Sequence, residues 1–548
     1  MWCASRQQWE GLVVNVMLLT VIVLIYLFII GSLAYYGYRK TKDASDYMIA
    51  GRSIHPYVMA ISYGATFIST SAIVGFGGAA AVFGMGILYL TFLNILIGIF
   101  IAFAFFGKRT RIMGLNLGAQ TFPDFLGKRF QSDFLQGITG LLIFVAMPLY
   151  ASVVLMGGSQ FLAEVLAIDY NTALFFFTVI IAIYVIMGGL KGVMYTDAFQ
   201  GSVMFVGMFL LFIFTYVELG GVVTAHAKLT DLSEIAVKIF GGKGHTGWTS
   251  FPVFGSEFWW VLVSTIILGV GIGVLAQPQL VVRFMTVKSG RELNRAILVG
   301  GVFIFMMTGV AFIVGSLSNV YFFEHPDFKN ISLIAAGKKV ANIIPLYINT
   351  AMPGWFTAIF VVTLLSAAMS TLSSQFHAMG TSIGHDVYEK WLKGRGNTIF
   401  ITKMGILVAI LLGLFLAWGL PLFFEGGTAI IARGTAIFFG LCASAFLPMF
   451  IGSLYSRTMK KTAALWGFWA GLGVSAFWLF FVHIKESQPL SLCNAIFGTE
   501  SLGKGTLWAV VDPLIIALPV AIIVTLVANR FGEPLPETHV DDCFRGVK

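Results

Sequence analysis

Long apolar runs separated by short polar stretches recur along the whole chain. Runs of roughly 20 residues or more, each long enough to cross about 30 Å of hydrocarbon, fall at about 11–37, 57–75, 84–106, 136–164, 170–188, 197–219, 257–281, 294–321, 353–383, 398–419, 427–455, 461–483 and 507–529. About 13 transmembrane helices are predicted. A segment in hydrocarbon must close its own backbone hydrogen bonds, so the expected fold is an all-α integral membrane bundle.

Two of the runs do not suit an unbroken helix. The second reads YGATFISTSAIVGFGG, with Gly64 followed by Ser69, Thr70 and Ser71 at mid-membrane. The seventh reads LGVGIGVLAQPQ, with Gly269, Gly271 and Gly273 ahead of Gln277 and Pro278. Glycine lowers the cost of leaving helical geometry and proline removes a donor. Both residues are common in membrane helices anyway, but broken helices at matching places in two halves point to a carrier with its site at the midplane. Spans two to six and seven to eleven then form a five-plus-five pair. The expected divisions are 1–55 (an extra helix and inner loop), 56–220 (first repeat), 221–456 (second repeat with outer loops) and 457–548 (two further helices and a cytoplasmic tail).

Polar residues within the apolar runs are few and concentrated. The ninth run carries SAAMSTLSSQ, with hydroxyls at Ser366, Ser370, Thr371, Ser373 and Ser374. Spanning a bilayer does not require them, whereas holding a small hard cation stripped of water does. Positions 367, 370, 371 and 374 share one helix face. The alternative is that small hydroxyl residues let helices pack closely. Asp197, at the expected inner start of the sixth span, is a carboxylate near hydrocarbon and suggests an ion or proton path. Equally, it would serve as a cap on the positive end of that helix. Arg433, inside the eleventh span, is costly there unless paired or wet. A carboxylate solute would suit it through fork geometry, as would snorkelling or a pairing with Glu425. His377 on the ninth span reads as a packing histidine.

Composition and charge narrow the class. The chain of 548 residues is 58% hydrophobic and 11% charged, against about 25% charged in soluble domains. The net charge of +9 is not a nucleic-acid signature, because 24 of the 34 Lys and Arg residues fall on one side if the N-terminus lies outside. Clusters such as Arg39/Lys40/Lys42, Lys108/Arg109/Arg111, Arg283/Lys288/Arg291 and Arg457/Lys460/Lys461 all follow this positive-inside bias. A multi-pass protein of the plasma (inner) membrane is expected, with its N-terminus outside and C-terminus in the cytoplasm. It would act as a monomer in the lipid bilayer. Cys3, Cys442, Cys493 and Cys543 lack metal-type spacing; Cys3 and Cys493 share the outer side, which does not establish a bridge. The first run lacks a basic flank before it and a small-residue cleavage site after it, so it is read as a retained helix. Amphipathic stretches in the long outer segments 220–256, 322–352 and 484–506 are candidate lids or plain interfacial helices. No HExxH is present and no strand-to-helix turn carries a nucleophile elbow, so no enzyme is expected. No filter loop or ring of pore charges suggests a channel, and no signalling module follows to suggest a sensor.

Four motifs in order resemble those of the sodium/solute symporter family: AGRS (Ala50–Ser53), GGLKGVMYTDAFQ (Gly188–Gln200), AQPQLVVRFM (Ala276–Met285) and SAAMSTLSSQ (Ser366–Gln375). The resemblance runs from about residue 30 to about residue 480. It implies a LeuT-type inverted-repeat core and Na+-coupled import of a small organic solute by alternating access. It further implies a sodium site of the Ala65, Ile68 and Ala367 carbonyls with the Ser370 and Thr371 hydroxyls. Asp197 with Ser373 and Ser374 would form a second sodium or proton site. The family's proline carriers place aromatic side chains in the seventh span where Val270 and Val274 stand here. With Ser69, Thr70, Ser71, Gln277, Gln375 and Arg433, these residues are the expected solute site, and a monocarboxylate or pantothenate-like acid fits them better than proline. A proton-coupled carrier and a membrane sensor built on a transporter core remain the alternatives.

Overall fold

The computed structural model describes residues 16–41, 44–187, 189–423 and 430–547. These residues are helical with an isolated bridge between Ile54 and Val287. In chain order the main helices are α1 (Val16–Lys40), α2 (Pro56–Phe67), α3 (Ser71–Asn116), α4 (Asp133–Leu166), α5 (Tyr170–Met187), α6 (Leu190–Glu218) and α7 (Glu257–Ala276). They continue with α8 (Pro278–Phe284), α9 (Leu293–Glu324), α10 (Gly354–Trp391), α11 (Thr398–Phe423), α12 (Ile431–Tyr455), α13 (Lys461–Val482) and α14 (Leu514–Ala528). Among the described residues, ten helices are long and apolar enough to cross a membrane. The difference from the expected thirteen has three sources. The second run is divided at Ile68, only its end joining the third in the 46 residues of α3, while α5 and α14 are shorter helices of 18 and 15 residues.

Both predicted breaks are present, and each turns on one extended residue. Ile68 ends α2 at φ −91°, ψ 109°, its amide still bonded to the Gly64 carbonyl, before the helix resumes through Thr70 into α3. Gln277 separates α7 from α8 at φ −69°, ψ 116°. The second break follows from the sequence. Proline disfavours helical geometry in the residue before it, yet suits the first turn of a new helix, where no donor is needed.

The bend within α3 has a different cause. Gly84 adopts φ 77°, and a Cβ there would lie 2.3 Å from the Trp248 carbonyl oxygen. Trp248, fully buried, closes that corner by donating from Nε1 to the Ala81 carbonyl at 2.7 Å and accepting from the Met85 amide at 2.7 Å. The segment after α6, expected as a lid or interfacial stretch, therefore packs into the bundle.

Basic residues collect on one face. Arg52 donates to Met285, Arg109 to Leu454 and Arg111 to Val287, all at carbonyl oxygens. These bonds tie the loops after α1 and α8 to the ends of α3 and α12. The 107–135 loop holds the short helix expected of it, Phe122–Arg129, capped by Thr121. At the centre lies α10, with 94% of its most apolar window buried. Its hydroxyls face protein rather than lipid.

Candidate functional site

Where the first break passes α10, oxygens converge. Ser370 Oγ donates to the Ala65 carbonyl at 2.9 Å and to the Ala367 carbonyl at 3.3 Å. Thr371 Oγ1 lies 3.0 Å from the Thr66 carbonyl oxygen and 3.5 Å from those of Ala65 and Ile68. All of these residues are buried. The five residues expected to hold a cation are thus brought together, and the Thr66 carbonyl, missed in the sequence, joins them. The unwound turn frees carbonyls from helical bonding, and the helical phase of 367, 370 and 371 aims side chains at them. Carbonyl and hydroxyl oxygens with no formal charge suit a hard monovalent ion, which would replace the hydroxyl–carbonyl bonds.

A second cluster adjoins the first through Thr66 and Ser374. Asp197 Oδ2 accepts from Ser62 at 3.0 Å, Thr66 at 3.2 Å and Ser374 at 3.4 Å, and Ser373 lies 3.5 Å from Oδ1. The three expected residues meet, but so does Arg283, which the sequence had shown only as part of a basic cluster. Its Nη2 is 2.8 Å from Asp197 Oδ2, and both side chains are fully buried. Asp197 is not a helix cap. Its helix begins at Leu190, about two turns earlier.

The expected solute residues separate. A central cavity of about 20 Å3 beside the first break is lined by Ser69 and Val270, with Asn94, Tyr150, Thr308 and Thr435 as further polar groups. Its apolar wall includes Phe67, Phe312 and Phe439. Thr70 instead donates to the Val154 carbonyl at 2.7 Å, and Ser71 bonds Thr435 and the Ile431 carbonyl, so both fasten the break to α4 and α12. Val274 packs where Gly98 leaves room for it, and Gln277 accepts from Gln279 at 2.8 Å. Neither lines the cavity. Gln375, also outside the lining, is buried with no protein partner for either amide atom. Aromatic side chains absent at Val270 and Val274 are supplied by other helices, since the Tyr150 and Phe439 rings lie 5.3 Å apart.

Arg433 also departs from expectation. It forms a forked pair with Glu486, with 2.9 Å between Nη2 and Oε2, and adds contacts to His483 Nδ1 at 2.9 Å and Thr265 at 3.4 Å. A buried cation found its carboxylate within the molecule, in the short helix Ile484–Leu490. Glu425, weighed as its partner, lies outside the described residues, as does Cys3. Burial pushes the Glu486 carboxyl up, but the charges of Arg433 and His483 outweigh it and hold the group well below the usual carboxylate range. Arg433 lines a separate cavity of about 190 Å3 with Phe83, Phe258, Ile266 and Lys485. That cavity lies about one turn further along the same helices, as the steps from Phe76 to Ala79, Val270 to Ile266 and Thr435 to Ala432 show.

The sequence model of the sodium:solute symporter family matches residues 47–471. The sodium/proline symporter 2 of Staphylococcus saprophyticus is 27% identical over 511 residues, covering 90% of this chain and 91% of that protein. The high-affinity proline transporter of Bacillus subtilis is 27% identical over 452 residues, covering 81% and 89%. Among solved structures, a Na+-coupled sialic acid symporter in a substrate-bound outward-open state superposes with a TM-score of 0.73 at 19% identity, over 94% of this chain and 98% of that one. Mhp1, a nucleobase-cation-symport-1 family transporter with bromovinylhydantoin bound, gives 0.51 at 15% identity, over 92% and 100%. These likenesses give the fold as the LeuT type. With most of its length matched and a cluster of oxygens at the first helix break, this chain belongs to the sodium:solute symporter family.

Proposed function

We propose that this sodium-coupled transporter imports a small monocarboxylate across the plasma membrane, with its N-terminus outside and the basic face towards the cytoplasm. The convergence of the Ala65 and Ile68 carbonyls on Ser370 and Thr371 carries the reading. An ion bound there would join α10 to the broken helix and order the turn that borders the central cavity. The core would then rock, the basic face would open, and the ion would leave into a sodium-poor interior. A tenfold sodium gradient supplies about 1.4 kcal/mol per ion, roughly tenfold accumulation; the membrane potential acts only on net charge, and one sodium ion with one monocarboxylate anion carries none.

Support for an acid is chemical. The cavity pairs hydroxyls and an amide with an apolar wall, and no carboxylate lines it to hold an ammonium group. Asn94 Oδ1 and both amide atoms of Gln375 lack protein partners and are available to a solute as the helices move. Proline is the second reading, because the relatives above are named for it and because Tyr150 and Phe439 restore an aromatic wall. The test is ligand-dependent thermal stabilisation of purified protein by lactate, pyruvate, pantothenate and proline, each in sodium and in choline. Stabilisation by an acid only in sodium is expected. Stabilisation by proline alone would replace the monocarboxylate, and equal effects in choline would end sodium coupling.

A further inference from the structure

We propose that Arg283 is the resident cation of the Asp197 cluster, so that this carrier takes one sodium ion per cycle rather than two. The inference rests on the sodium reading of the Ser370–Thr371 cluster and concerns what fills its neighbour. Asp197 with the hydroxyls of Ser62, Thr66, Ser373 and Ser374 makes a pocket with one negative charge and a ring of oxygens, a ligand set that suits sodium. The guanidinium already uses most of it. Arg283 Nε is 3.2 Å from Ser62, while Nη2 lies 2.5 Å from Thr66, 2.6 Å from Ser374 and 2.8 Å from Asp197. Nη1 is held by the Gln279 carbonyl one turn back.

The two cations are mutually exclusive for steric and electrostatic reasons. A sodium ion bound to Asp197 would need the same carboxylate oxygen and the same hydroxyls, at hydrogen-bond distance from a guanidinium. Like charges that close, in a site shielded from water, repel strongly. The arginine cannot yield by losing a proton, because it stays charged at any accessible pH. Swinging away would cost it its bonds to Ser62, Thr66, Ser374 and the Gln279 carbonyl and would draw a charged group out of a fully buried position.

The second helix break delivers the charge. Pro278 begins α8, and Arg283 sits five residues on, so the unwound Gln277 orients the short helix that brings the guanidinium to α2, α6 and α10. The first break thus presents carbonyls for a mobile ion, and the second presents a fixed one.

The test is equilibrium binding of radioactive sodium to purified protein in detergent, with no solute present. Wild type and Arg283→Lys are expected to bind one ion per chain, and Arg283→Gln two, with the second lost again in Asp197→Asn/Arg283→Gln. That double variant removes both charges together and serves if Arg283→Gln does not fold, with one ion still expected. Two ions on wild type, one on folded Arg283→Gln, or fewer than one on the double variant would each overturn the proposal while leaving sodium binding intact. No saturable sodium on wild type would remove the sodium reading itself, and this proposal with it.

Discussion

Thr371 shows how much one oxygen carries. Its hydroxyl reaches the Thr66 carbonyl at 3.0 Å and stands within 3.5 Å of two more, so its loss removes an ion ligand and leaves a buried carbonyl unmatched. Thr371→Ala is expected to raise the sodium concentration for half-maximal uptake about tenfold or more, the equivalent of about 1.4 kcal/mol. Thr371→Ser, which keeps the oxygen, should stay near wild type. A sodium titration of uptake into proteoliposomes would show both, and a purely proton-driven carrier would respond to neither. These residues were legible because hydroxyls at helical spacing in an apolar run have a phase. Arg283 and Arg433 were not, because their carboxylates lie 86 and 53 positions away, and such pairings are made by packing alone. Some of the expected solute residues lie away from the cavity for a related reason. A serine or threonine beside a break satisfies the backbone as readily as it faces a cavity, and Thr70 and Ser71 do the former.

Among the elements, the short helix Ile484–Leu490 is fastened by its carboxylate. Glu486 is mostly buried against Arg433, which has no other acidic residue at hydrogen-bond distance among the described residues. Glu486→Gln should lower thermal stability by roughly 3–5 kcal/mol, the usual cost of leaving one member of a buried pair. The pH dependence has a definite sign. A carboxyl held below its unfolded value of about 4.3 contributes fully above that pH, and the contribution is lost as pH falls towards the folded value. Melting curves of wild type and Glu486→Gln should therefore differ most near neutrality and draw together below about pH 4. A constant gap across that range would mean that Glu486 stabilises by packing alone. Helix breaks were readable from glycine, hydroxyl and Gln-Pro signals, and both appear at the residues so marked. The corner at Gly84 was not, because its strain is set by Trp248 from a distant loop.

At the scale of the whole molecule, two cavities follow one another along α3, α7 and α12, about 190 Å3 lined by Arg433 and about 20 Å3 beside the first break. The wider one is walled by Phe240, Leu333 and Val340 from the segments expected as lids, and the basic clusters lie at the other ends of these helices. Room for about one water must become room for an entire organic molecule. The bundle therefore swells and contracts once in every cycle. Hydrostatic pressure favours whichever state occupies less volume, so moderate compression should slow solute uptake more than it weakens sodium binding, which needs no such expansion. Uptake and ion-dependent fluorescence followed together in a high-pressure cell would separate the two responses; parallel responses would show that the dilation accompanies the ion instead.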